Sequence, residues 1–263
     1  MTPDIPDKIA EDDHWWFASR TRALNAVMEP LLPKTPDFRL LDVGCGAGNM
    51  IHHLNRYGQV KGLDIDERPV KVARERGYDV DQFDVTQPMP FEPNTFDAVT
   101  ALDVIEHNED DLAILADSYR VIKPGGHLII TVPALMWLWS HNDEINAHVR
   151  RYTAAELRQK LTKTGFEVQR VTYNNFFVFP LAAALILLRR SSDAEPELAS
   201  HHLDEEEYQV EMEPASPPVN AVLTLVGKVE AGLIKRVNLP IGTSLIAVAQ
   251  KPVDQQEVAD RQH

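Results

Sequence analysis

Three glycines at alternate positions, Gly44, Gly46 and Gly48, stand behind an apolar stretch that ends in an acid, Asp42, within LLDVGCGAGNM (40–50). Such a loop lets a ligand lie against bare backbone, because no Cβ holds it away. A dinucleotide fingerprint is G-x-G-x-x-G, with a helix N-terminus aimed at pyrophosphate. Here the third glycine comes one position early, and Asn49 holds the place it would take. Two more acids close strand-like stretches downstream: Asp64 in QVKGLDI, 22 residues after Asp42, and Asp84 in YDVDQFDV. An acid at the end of a second strand can accept both hydroxyls of a ribose, with Ile65 beside it as an apolar face for a base. It can equally be an exposed strand-end acid. Asp66 fits a helix cap better than a ligand contact.

Proton-transfer chemistry has three candidates, His107, His141 and His148. A general base is needed only if the group being modified is a hydroxyl or an acidic carbon. His107 serves equally well as a hydrogen bonder that orients its loop. His141 and His148 flank Asp143, but no further marked ligand cluster accompanies them, so no metal is expected. Arg150 and Arg151 in HVRRYT either hold an anionic group or support the helix that follows.

These residues need a scaffold that brings strand ends together. A helix is expected over 14–32. Strands are expected at 39–44, 59–65, 78–85, 96–104 and HLIITVPA after a KPGG turn, with helices at 47–57, 67–76 and 108–122 between them. Asp66 is the expected cap of the second of these helices, Gly77 its stop, and Asn108 and Asp111 open the third. Regular alternation of strand and helix argues for a parallel, doubly wound sheet. Thr153-x-x-Glu156 is a capping box that opens a helix to about 164, stopped by Gly165. Strands follow at 166–174 and 244–251. Between them lie the apolar run FFVFPLAAALILL (176–188), an acidic segment at 191–215 that reads as a solvated or disordered loop, and an amphipathic stretch at 218–236.

Composition narrows the function further. The 263 residues carry a formal net charge of −14, which argues against a general nucleic-acid binder. The single cysteine, Cys45, allows no disulfide framework and no cysteine-based zinc site within one chain. The N-terminus MTPDIPDKIAEDDHWW is acidic and lacks an apolar signal core, so a cytoplasmic location is expected. The apolar run is too short to span a bilayer. With Arg189 and Arg190 behind it, residues 176–190 either lie on a membrane surface or form a buried helix or a dimer face. The oligomeric state stays open.

Four motifs in order, LLDVGCGAG, VKGLDIDE, QFDVTQPMPF with FDAVTALDVIEH, and VIKPGGHLIITVP, make the chain resemble the class I S-adenosylmethionine-dependent methyltransferases of small-molecule type. The likeness covers about residues 35–135, and more loosely the last two strands. It implies a seven-strand, mostly parallel sheet in the order 3-2-1-4-5-7-6 with the last strand antiparallel, and a helical insert before that strand. It implies S-adenosylmethionine as cofactor, with Asp42 near its ammonium, Gly44, Gly46 and Gly48 along the methionine tail, Asp64 on the ribose, Ile65 on the adenine face, and Asp84 and the Val85 backbone at the adenine edge. Backbone at Ala101, Leu102 and Asp103 would meet the methionine moiety. The expected division is a helical lid at 1–34, a cofactor-binding core at 35–174, an insert at 175–241 and a final strand and tail at 242–263. The acceptor, a small or lipid-like molecule, is expected under residues 14–22 and 135–152, among HWWF, Trp137 and Trp139. Two rivals stand beside this reading: a non-catalytic module that binds the cofactor and acts through a partner, and a dinucleotide oxidoreductase.

Overall fold

A computed structural model describes residues 9–190 and 216–253. The acidic segment 191–215 lies outside the described residues. Seven strands form one sheet: β1 (Arg39–Val43), β2 (Gln59–Asp64), β3 (Val80–Gln82), β4 (Phe96–Leu102), β5 (Ile122–Pro133), β6 (Glu167–Asn174) and β7 (Ser244–Gln250). Their order is β3-β2-β1-β4-β5-β7-β6, and β7 runs antiparallel to both of its neighbours, as expected. Helices α1 (Trp15–Met28), α2 (Asn49–Leu54), α3 (Glu67–Glu75), α4 (Asp111–Val121), α5 (His141–Ile145), α6 (Ala154–Lys163), α7 (Phe179–Arg190) and α8 (Pro217–Ile234) complete it.

Parallel strands covered on both faces should be apolar rather than alternating, and β1 is so at Leu40, Leu41 and Val43, with Asp42 as its buried polar residue. Leu40 faces one core with Met28, Leu54, Ile129 and Ile234, while Leu41 and Val43 face a second with Leu115, Ile130 and Leu157. Asp42 pairs in register with Gly62 on one side and Thr100 on the other. Strand order reverses between β1 and β4, so the loops leaving their carboxyl ends diverge and leave a crevice, the place where ligands bind in open α/β sheets.

Several boundaries differ from the sequence expectation, each for a local reason. The first helix stops at Met28, not at 32, and α2 starts only after Gly48, whose φ of 80° is left-handed. The third strand keeps only Val80–Gln82. Before it, the Tyr78 N–H still caps α3 by donating to the Ala73 carbonyl (3.1 Å). After it, Asp84 turns the chain by accepting from the N–H (2.9 Å) and hydroxyl (2.6 Å) of Thr86. Asp110 caps α4, not Asn108 or Asp111, by accepting from the Ala113 N–H at 3.1 Å. The KPGG turn is instead a bulge inside β5: Phe96–Ala98 of β4 spans the stretch covered by Ile122–His127. The Asp66 cap and the Thr153/Glu156 capping box form as expected.

The insert does more than fill space. Close packing of α8 on α1 depends on Gly227, where any Cβ would collide with Ser19. Asn220 of α8 accepts from the Trp15 N–H (2.9 Å) and donates to the Asp13 carbonyl (3.0 Å), so it caps α1 from another element. Helices α7 and α8 leave Leu181, Leu185, Val222 and Leu225 exposed. Among the described residues no helix is long and apolar enough to cross a membrane.

Candidate functional site

The crevice is built from the ends of β1, β2 and β4. Asp42 is buried, and its Oδ1 accepts from the Thr100 hydroxyl at 2.6 Å. Burial pushes its carboxyl up to about 7, against the Thr100 hydrogen bond and the Arg20 charge, which favour ionisation; the Asp64 charge adds to the rise. The three glycines differ in what they do. At Gly44 a Cβ would strike Val104, and at Gly48 it would strike the ring of Tyr78, so both permit close packing. At Gly46 a Cβ would meet nothing within 4 Å, so the loop is open to a ligand there. Cys45 between them is buried, and burial pushes its thiol up, away from nucleophilic use.

Asp64 binds the loop. Its Oδ2 accepts from the Gly46 N–H at 2.7 Å and its Oδ1 from the Asp66 N–H at 3.0 Å. Ile65 beside it is 62% exposed, a free apolar face at the rim. Asp84 is half-exposed, and its bonds to the Thr86 hydroxyl and N–H hold its carboxyl below the usual range. Val85 is half-buried against the second core. Asp103, in a left-handed conformation (φ 59°), pairs with Arg20 at 2.6 Å and accepts from the Thr131 hydroxyl at 3.0 Å. Arg20 lies 5.6 Å from the centroid of the Trp16 ring. Helix α1 is therefore anchored onto the end of β4. Arg20, Thr100 and Thr131 carry no motif that marks them in the sequence. Nothing in their local spacing points to the crevice.

The histidines divide. The rings of His107 and His148 stand edge to face with centroids 4.8 Å apart. His141 is apart from them, exposed and paired with Glu144 at 3.3 Å. Beneath the His107–His148 pair lies Glu106, wholly buried, with neither carboxylate oxygen hydrogen-bonded to another of the described residues. His148 Nδ1 meets Asp143 Oδ1 at 2.9 Å, and Arg151 grips both Asp143 oxygens at 2.7 and 2.8 Å. Burial favours the neutral form of Asp143, but His148 and Arg151 outweigh it and hold the carboxyl down to about 2. Arg150 is bound to Asp111 at 3.1 Å. Both arginines are thus held by buried acids, Arg150 by Asp111 of α4 and Arg151 by Asp143 of α5.

Residues 41–130 match the family model of the methyltransferase domain. A ubiquinone biosynthesis O-methyltransferase of Vibrio cholerae is 37% identical over 100 residues, 35% of this chain and 41% of that protein. The chain therefore spans about two fifths of the length of that curated relative. Among solved structures, the [4+2]-cyclase SpnF superposes with a TM-score of 0.56 at 24% identity, over 90% of this chain and 82% of that one. An N-methyltransferase of Haemonchus contortus, solved with phosphomonomethylethanolamine and S-adenosylhomocysteine, superposes with a TM-score of 0.53 at 24% identity, over 87% of this chain and 52% of that one. Such likenesses carry the fold. With the matched domain they define the class: residues 41–130 carry a methyltransferase domain, on a fold shared with S-adenosylmethionine-dependent methyltransferases.

Proposed function

We propose that the chain transfers the methyl group of S-adenosylmethionine to a small-molecule or lipid-like acceptor. One observation carries the reading: buried Asp42, the open backbone at Gly46 and strand-end Asp64 converge on the β1–β4 crevice. That set fits the cofactor, which has an ammonium for Asp42, a tail for the bare loop and a ribose for Asp64, and has no pyrophosphate. When bound, the cofactor supplies a methyl group already activated on sulfonium. What remains for the protein is to hold an acceptor in line with it. The edge of the adenine falls to Asp84 and Val85, its face to Ile65, and the methionine moiety to the backbone at Asp103. His107 or His148 takes the acceptor's proton where the acceptor is a hydroxyl; His141, exposed and paired with Glu144, stands outside the His107–His148 ring pair.

The name of the V. cholerae relative supports an oxygen acceptor in a lipid-like molecule. Exposed apolar residues on α7 support peripheral membrane contact through 176–190. The lid reading of the N-terminal segment is supported by the Arg20–Asp103 ion pair at the end of β4 and by the Trp16 ring, whose centroid lies 5.6 Å from the Arg20 guanidinium. A cytoplasmic location remains part of the proposal.

The test is transfer of label from methyl-labelled S-adenosylmethionine into host-cell extract separated into lipid, aqueous and macromolecular fractions. Label in the lipid or aqueous fraction is the expected result. Label in protein or nucleic acid alone overturns the acceptor class, and no label despite cofactor binding favours the non-catalytic module.

The Asp42 role has its own pH signature. Its pKa lies above that of an ordinary carboxylate, so the folded chain without cofactor binds the extra proton and loses stability as pH rises from about 4 to about 7. Binding an ammonium needs the ionised form. Affinity for S-adenosylhomocysteine should therefore fall by up to about tenfold per pH unit below 7 and level off above it. Titration calorimetry from pH 5.5 to 8.5 reads this, and Asp42→Asn should flatten the profile.

A further inference from the structure

We propose that Glu106, His107 and His148 bind a divalent transition-metal ion beside the crevice. One potential ligand atom from each of the three lies within 4.8 Å of the others. Metal–nitrogen and metal–oxygen distances near 2.0–2.2 Å ask for separations of about 3–4 Å, so a closure of about 1 Å completes the set.

Three observations select this cluster. First, Glu106 is wholly buried and neither of its oxygens meets a donor among the described residues. A buried carboxylate without a partner is costly, and the nearby Arg20 is already held by Asp103 at 2.6 Å. A cation bound between Glu106 and the two imidazoles supplies the missing partner. Second, each imidazole is already oriented from behind. His148 uses Nδ1 on Asp143, which leaves Nε2 as its ligand atom, and Asp143 is locked by Arg151 and by the Ser140 N–H at 2.8 Å. His107 is set by its edge-to-face contact with His148, ring centroids 4.8 Å apart, and by the backbone of Asn146 and Ala147 beside it. A carboxylate or carbonyl behind each ligating histidine is how proteins fix its tautomer and ring plane for a metal. Third, the two loops that carry the ligands are joined by the Val149 N–H, which donates to the Glu106 carbonyl at 2.9 Å.

A second histidine cluster shows the contrast. In Asp12, His52 and His53 the carboxylate already meets His53 Nε2 at 2.9 Å, and His52 Nδ1 meets the Tyr78 hydroxyl at 3.3 Å. That cluster is closed by its own bonds. Two imidazoles and one carboxylate suit zinc, cobalt, iron or nickel better than magnesium or calcium, which prefer oxygen. Glu106 and His107 of the loop after β4 and His148 after α5 thereby gain a reason to sit together that the cofactor does not supply, and with an ion bound neither imidazole serves as the acceptor's base.

The experiment uses the full chain, stripped with a chelator and dialysed, with no cofactor or acceptor present. It is titrated with Zn²⁺ by calorimetry and with Co²⁺ by visible absorption. One equivalent should bind. Glu106→Gln and His148→Ala should each weaken binding by at least about 100-fold, Asp143→Asn by about 10- to 100-fold, and His53→Ala should leave it unchanged. Should Glu106→Gln fail to fold, His148→Ala and His107→Ala carry the test. No saturable binding overturns the site, as does equal binding by wild type and the His148→Ala variant. Because the readout is metal binding alone, its failure is distinct from failure of the methyl-transfer reading, which the label experiment decides.

Discussion

Replacing Asp64 by alanine is expected to weaken binding of S-adenosylhomocysteine by about thirtyfold to several-hundredfold. The loss corresponds to about 2–4 kcal/mol for a bidentate, charge-assisted pair of hydrogen bonds, at about 1.4 kcal/mol per factor of ten. The geometry adds a second source of loss. Without the carboxylate, the Gly46 N–H loses its 2.7 Å acceptor and the Asp66 N–H its 3.0 Å acceptor, so the loop itself slackens. Asp64→Asn separates the two sources. The amide oxygen can still receive the Gly46 N–H and keep the loop in place, while the charge offered to the ribose is gone. Calorimetry on both variants reads the outcome. A large loss in Asp64→Ala with near-native affinity in Asp64→Asn would assign Asp64 to loop support. Unchanged affinity in both would remove it from the site.

The largest loss of stability is expected from Asp111→Ala. This carboxylate is buried, and it accepts from the Tyr152 hydroxyl at 2.7 Å, Arg150 at 3.1 Å and Lys160 at 2.8 Å. It therefore ties α4 to the chain leading into α6. Removing it leaves two cations and a buried phenol without their acceptor. Breaking a buried ion pair from one side costs about 3–5 kcal/mol. Arg150 and Lys160 keep some contact with water, which places the effect near the lower end, at about 3 kcal/mol. For a chain of this size that is a fall in Tm of about 6–12 °C, read by thermal or urea unfolding. Affinity for S-adenosylhomocysteine should stay close to wild type in the folded variant, because Asp111 does not line the crevice. A drop below 2 °C would show that solvent compensates the exposed partners.

Much of the core was legible because its signals are local. A strand of β1 type reads as an apolar run ending in a small-residue turn. Asp66 and Thr153 with Glu156 announce their helices through bonds made within two or three residues. Misreadings arose where a local pattern met a competing local bond. Asp84 looks like a strand end, but its carboxylate turns the chain on Thr86. KPGG looks like a tight turn, but pairing of β5 with both β4 and β7 absorbs it as a bulge.

What the sequence determined by itself was the class of fold: alternation of strand and helix points to the doubly wound sheet, and the four ordered motifs point, through the family they resemble, to its strand order. Tertiary structure alone decided the rest. Arg20 reaches Asp103 and Asn220 caps Trp15 across long stretches of chain. His107 joins His148 rather than leaving His148 with His141, and Glu106 is buried without a donor. Such contacts depend on how helices and loops pack over the sheet. Packing is set by the summed burial of many side chains, and no short spacing in the chain records which distant partner a charged residue will find.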